Sequence, residues 1–292
     1  MNKKGFEISF SWLFSIIAGI SIFLFLVWFA VQQTDLFGNL TAKVAVEELD
    51  IAFTGFKSNL VGSKLEFGKE IKLEFKCDPS TLNEERMFVN GVAGKKLKGN
   101  IVFAPEGMKD NEFKFFTYGW NAPFRITNFI FITGNDKFFY LEDAPDEINK
   151  IPEMFIGSDE TIQFIDLDSV NLVDCSDNVN GNKKKVFYEG QINGEYYGKL
   201  CDGGTDRDFY GNAMIYAYIF SDTSNFFCLT NHVALKKYEN IRKVYLKKAD
   251  GIGYGCSFRQ AAIDAIKNLP EQVNELITAN EGLLREGCEG IY

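Results

Sequence analysis

Between Ile8 and Val31 the chain runs for 24 consecutive residues without a formal charge, preceded by Lys3 and Lys4. At about 1.5 Å of rise per residue such a run makes roughly 36 Å of helix, enough to cross a hydrocarbon core of about 30 Å with some tilt. Trp12 and Trp28 stand near its two ends, where indoles favour the headgroup level, and lysines ahead of a span keep the N-terminus in the cytoplasm. The expectation is a single-pass cell-membrane protein, with residues 1–35 as cytoplasmic tip and transmembrane signal-anchor and the remainder extracellular. A cleaved secretory peptide fits less well. Its apolar region is shorter and ends at a small-x-small site, whereas this run closes on Ala30-Val31-Gln32-Gln33.

Beyond the run, Leu36, Leu40, Val44, Leu49, Phe53, Phe56 and Leu60 recur at intervals of three to five, the stripe of an amphipathic helix over 36–62. Gly38 and Gly55 favour a helix separate from the span, each costing about 1 kcal/mol relative to alanine.

Lys3-Lys4-Gly5-Phe6-Glu7 resembles the class III signal of type IV pilins and archaeal pilin-like proteins. The resemblance covers about the first 35 residues. It implies a cut by a prepilin peptidase between Gly5 and Phe6 and, if the two helical stretches join, a long first helix that is apolar and then amphipathic. The chain departs from the family in one position: the usual glutamate, fifth after the cut, is replaced by Phe10, while Glu7 is only the second. The other reading is an uncut signal-anchor with an incidental glycine.

The chain carries 31 basic and 40 acidic residues, a net charge of −9, which argues against a nucleic-acid footprint and against charge-driven adhesion to anionic lipid. All six cysteines, Cys77, Cys175, Cys201, Cys228, Cys256 and Cys288, follow the apolar run. In an exported chain they suggest up to three disulfides, with Cys288 fastening the tail; the pairing stays open among 15 possibilities. No C-x-x-C pair occurs, and His232 is the only histidine, so neither a metal nor a cofactor is expected.

From Lys64 to Leu141 the pattern alternates as strands do, as in Ile71-Lys72-Leu73-Glu74-Phe75. Gly134-Asn135-Asp136-Lys137, between Arg125–Thr133 and Phe138–Leu141, reads as a hairpin turn. The acidic stretch from Glu142 to Pro152 is the candidate linker to a mixed second part. There, strands are expected near Ser169–Val173, Lys185–Tyr188, Tyr196–Leu200, Ala213–Phe220 and Lys243–Leu246, with a turn at Asn193-Gly194. Helices are expected over Asn231–Asn240 and Ser257–Leu284, the latter broken at Leu269-Pro270. The fold expected is α+β: a transmembrane helix, an amphipathic helix, a β-rich part over 63–145 and a mixed α/β part over 146–292 with C-terminal helices.

Candidate chemistry is sparse. Gly251-Ile252-Gly253-Tyr254-Gly255 has neither Rossmann nor P-loop spacing and reads as a turn. Asp202, Asp206 and Asp208 offer oxygen ligands but miss the EF-hand offsets and read as a solvated turn. His232 stands without a nucleophile elbow anywhere in the chain. Phe116, Tyr118, Trp120 and Phe124 form either an aromatic platform or, more simply, core. The function these features imply is a single-pass, pilin-like or signal-anchored envelope protein presenting a structural or interaction domain. Its partners would be the lipid bilayer, prepilin peptidase, other envelope proteins and further copies of itself. The alternative is a membrane-tethered hydrolase using paired carboxylates.

Overall fold

The computed structural model describes residues 10–55, 62–78, 84–97, 100–146, 148–169, 175, 183–202, 204–269 and 272–292. Helix α1 (Phe10–Gly55) is one continuous 46-residue element, about 69 Å long at 1.5 Å per residue. This corrects the expected fold twice. The apolar run and the amphipathic stripe belong to one helix, with Gly38 inside it, and not to two separate helices. Further, among the described residues no helix is long and apolar enough to cross a membrane, which overturns the transmembrane element.

In the second half of α1, Ala42, Ala45, Leu49 and Phe53 are buried, a stripe spaced three and four residues apart. Val44 is off this stripe and half exposed. Phe56 and Leu60, also expected on it, lie outside the described residues.

The stripe packs on a six-stranded sheet made of β1 (Ser63–Asp78), β2 (Glu84–Val89), β3 (Val92–Lys96), β4 (Ile101–Phe103), β5 (Met108–Asn121) and β6 (Arg125–Gly134), in the order β3-β2-β1-β5-β6-β4. All pairs are antiparallel except β4 with β6. Alternation assigns the two faces. Ile71, Leu73, Phe75, Phe113, Phe115, Ile130 and Ile132 meet α1, whereas Phe116, Phe129 and Phe131 point into the main core. Because both faces of β6 are covered, its residues from Phe129 to Gly134 are all buried.

A second sheet holds β7 (Phe139–Glu142), β8 (Glu160–Asp166), β9 (Lys183–Ile192), β10 (Glu195–Asp202) and β11 (Thr205–Tyr210), in the order β11-β10-β9-β8-β7. β7, β8 and β9 run parallel; β9, β10 and β11 form an antiparallel meander. The β9–β10 turn sits at Asn193-Gly194 as expected, with φ of 52° and 81°, the two positive values a type I′ hairpin requires.

The hairpin expected around Gly134–Lys137 is not formed. β6 and β7 belong to different sheets, so the segment between them is a crossing. Buried Lys114 on β5 holds that crossing: its Nζ donates to the carbonyls of Lys137 (2.8 Å) and Met154 (3.2 Å) and lies 3.8 Å from the Phe138 ring centre.

Helix α2 (Asn212–Phe220) packs against both sheets, with every residue but Met214 buried. It stands where a strand was expected. A short run that is apolar all round carries no period by which helix and strand are told apart. α3 (Thr223–Cys228) leads through a π-helical turn (Leu229–Ala234) into α4 (Leu235–Gly251), which also replaces the strand expected at Lys243–Leu246. α5 (Arg259–Lys267) and α6 (Val273–Arg285) flank the expected break at Leu269-Pro270, although Pro270 itself lies outside the described residues. Of the strand expected near Ser169–Val173, Ser169 ends a 3-10 turn and the rest lies outside the described residues. The main core runs from Ile101 to Ile291 and takes in Ile148 and Ile151 from the acidic stretch 142–152.

All six cysteines pair: Cys77 with Cys228, Cys175 with Cys201, and Cys256 with Cys288. The first ties β1 to the end of α3. The last fastens the tail, aided by the Ile291 amide, which donates to Asn280 Oδ1 at 2.6 Å.

Candidate functional site

Two surfaces stand out. The first is the leading half of α1. From Ser15 to Phe29 every residue but Ala18 is exposed, and the large apolar side chains from Ile16 to Phe29 leave 39% to 65% of their surface open. The Phe25 ring lies near those of Trp28 and Phe29 of its own helix, with ring centres 6.1 and 6.3 Å away. Apolar side chains on all sides of a helix, with nothing packed on them, mark a contact surface. Further along the helix, Val44 and Ile51 are also exposed, Ile51 to 72%, with the exposed carboxylates of Glu47 and Glu48 between them.

The second surface is a cleft of about 750 Å³ beside β11. One wall is β11, from Asp206 through Tyr210, backed by Glu189 and Tyr197. The facing wall carries Leu235 and Tyr238 of α4 with Val273 and Asn274 of α6. Trp120 also lines the cleft, and its indole N–H donates to the Tyr210 carbonyl at 3.0 Å, fixing the end of β11. The Arg207 guanidinium stacks on Phe227 at 4.1 Å, and Lys199 pairs with Asp206 at 2.6 Å. The Lys199 hydrogen bond holds the Asp206 carboxyl below its usual value. Burial pushes the Tyr210 phenol up, so it stays protonated at physiological pH.

Comparison with known proteins gives no relative on which to lean. No family model, no curated protein and no solved structure matches the chain.

Buried ionisable groups lie elsewhere, where they act on the fold. Glu195 accepts the amide of Asn212 (2.7 Å) and the side-chain amide of Asn121 (2.9 Å), while burial raises its pKa. Glu85 accepts the Val102 amide at 2.9 Å; burial raises its pKa well above the usual range, opposed by that hydrogen bond and by the charge of Lys237. Lys237, itself desolvated, is pushed down.

Of the sites expected from sequence, Gly5 and Phe6 lie outside the described residues. Gly251 to Gly255 joins α4 to α5, not a strand to a helix, and presents Tyr254 at 92% exposure. Among the described residues no group of three or more His, Cys, Asp or Glu side chains is placed to hold a metal ion. His232 sits half-buried in the π-helical turn. Phe116, Trp120 and Phe124 are buried, and Phe124 stacks on Tyr245 at 3.9 Å, so these aromatics serve the core.

The cleft was missed because its walls come from segments far apart in the chain. Lys114 and Glu85 left a readable trace: each is a charge at an inward position of an alternating strand, Lys114 in step with Phe116 and Glu85 in step with Met87.

Proposed function

We propose that this chain is an exported structural and interaction protein of pilin-like organisation. The second half of α1 belongs to its own domain, and the first half packs against the same helix of other copies. The observation that carries this reading is the exposed apolar surface from Ile16 to Phe29 on a helix whose continuation is firmly seated on the sheet. Each large apolar side chain withdrawn from water contributes about 1.5–3 kcal/mol, so neighbouring copies that cover this half gain enough to hold an assembly together. Three disulfides support a life outside the reducing cytoplasm. A prepilin-type cut between Gly5 and Phe6 is part of the proposal, in keeping with the resemblance of the first residues.

The test joins N-terminal sequencing of the protein from its own cells with pelleting of wild type and Leu24→Glu. Expected are an N-terminus at Phe6, wild-type protein in large assemblies, and L24E exported and disulfide-bonded but in small species. An intact N-terminus with L24E pelleting like wild type overturns the reading.

A further inference from the structure

The cleft beside β11 is lined by three neighbouring strands. Glu189 and Ile192 come to it from β9, Tyr197 and Leu200 from β10, and Asp206 to Tyr210 from β11. Its volume of about 750 Å³ falls within the roughly 300–1,000 Å³ of pockets that enclose small ligands. The Tyr197 ring lies across Gly190, its partner in the β9–β10 ladder: a Cβ at Gly190 would come within 2.8 Å of the phenol oxygen and 3.2 Å of the ring. Glycine at 190 therefore leaves room for the ring, which reaches the cleft half-buried. Tyr210 stands close enough to Tyr197 and Tyr238 for the three phenols to interact electrostatically, so three tyrosines gather on these walls.

The charges around the cleft nearly cancel. Glu189, Asp206 and Asp208 are met by Arg207, whose guanidinium lies over Phe227, and by Lys199, which pairs with Asp206 at 2.6 Å and interacts electrostatically with Asp208 and Glu189. An anionic ligand is opposed by the carboxylates, and a cationic one by Arg207 and Lys199. What the walls offer instead is hydrogen bonding. Glu189, Asp208, Asn231 and Asn274 are exposed, and among the described residues their side chains enter no hydrogen bond or ion pair. The carboxylates only accept, whereas each side-chain amide both donates and accepts. A hydroxyl group answers both, and the tyrosine rings call for an apolar surface beside it.

A sugar ring has that combination, with hydroxyls around its rim and C–H groups on its faces. We infer that the cleft binds a short neutral oligosaccharide. Tyr197 and Tyr210 take the C–H faces, Asp208 and Glu189 accept from hydroxyls, and Asn231 and Asn274, from the π-helical turn and α6, fix the orientation of the ring. None of these residues belongs to α1, so L24E leaves the site intact, and failure of one reading does not carry the other with it.

The experiment reads binding of the full, disulfide-bonded chain to an array of neutral, uronic-acid and amino-sugar oligosaccharides, followed by calorimetric titration of the neutral members that retain it. Expected is saturable binding to neutral members alone, with an affinity that raising the salt concentration leaves unchanged, as an uncharged ligand requires. Tyr197→Ala and Asn274→Ala should each weaken it at least about fivefold. Near-UV circular dichroism establishes that both variants are folded, and N274A, at an exposed position, carries the test if Y197A is not. The inference is overturned if no neutral oligosaccharide binds saturably, if the uronic-acid or amino-sugar members bind as tightly, or if folded N274A binds as wild type does.

Discussion

Glu195 and Lys184 close opposite ends of the same buried helix. Glu195 accepts the first amide of α2, from Asn212, at 2.7 Å. At the other end, Lys184 Nζ donates to the carbonyls of Tyr218 (2.8 Å), Ile219 (2.9 Å) and Ser221 (2.8 Å). A carboxyl that accepts at the N-terminus and an ammonium that donates at the C-terminus satisfy groups that helix geometry leaves unpaired, and the ammonium also matches the helix dipole. Because α2 packs against both sheets, these two side chains, supplied by β10 and β9, set its position along its axis.

Lys184→Met leaves three carbonyls at the end of α2 without their charged donor. A loss of about 2–3 kcal/mol in unfolding free energy is expected, read as a lower urea midpoint with an unchanged slope. An unchanged midpoint would show that water replaces the ammonium at no cost.

Glu85 makes the stability depend on pH with a defined sign. Its carboxyl titrates in the folded protein well above the usual 4.5, so the folded state keeps a proton that the unfolded chain releases. The contribution is full below pH 4.5 and is lost as pH rises from there through the raised folded value. Glu195, raised for the same reason of burial, adds in the same direction. Glu85→Gln is therefore expected to be more stable than wild type at neutral pH, with the difference shrinking towards pH 4.5. Denaturation midpoints across that window measure it, and a difference independent of pH counts against the assignment.

The disulfides differ in the length of chain they close. Cys77 and Cys228 are 151 residues apart, Cys175 and Cys201 only 26. Loop-closure entropy gives about 5 kcal/mol for the first and about 3.5 kcal/mol for the second. Replacing Cys77 and Cys228 together with serine should lower thermal stability more than replacing Cys175 and Cys201. Peptide mapping without reductant is expected to return the three observed pairs.

How far the sequence reached is clear from particular elements. Leu49 and Phe53 keep a helical period and land on the sheet; Asn193-Gly194 names its own turn type; the break expected from Pro270 falls in the interval between α5 and α6. Local signals failed where the deciding contacts are distant. The residues of α2 are apolar all round, and only the two sheets and the charges at its ends make the segment a helix. Turn residues at Gly134–Lys137 signal a change of direction but do not say which sheet the next strand joins. The uncharged run from Ile8 marks an apolar helix half, but among the described residues that helix does not become a membrane span. The β11 cleft assembles Trp120, Asp208, Leu235 and Val273 from four separate segments, a proximity that no local pattern encodes.

The central claim is that the exposed half of α1 is covered by other copies of itself. A photo-cross-linking amino acid at Phe25, activated in intact cells and analysed by mass spectrometry, tests it most directly. The account predicts cross-links from position 25 to residues between Ile16 and Phe29 of a second copy, lost in L24E. Cross-links to lipid alone, or none to another copy of the chain, would contradict it.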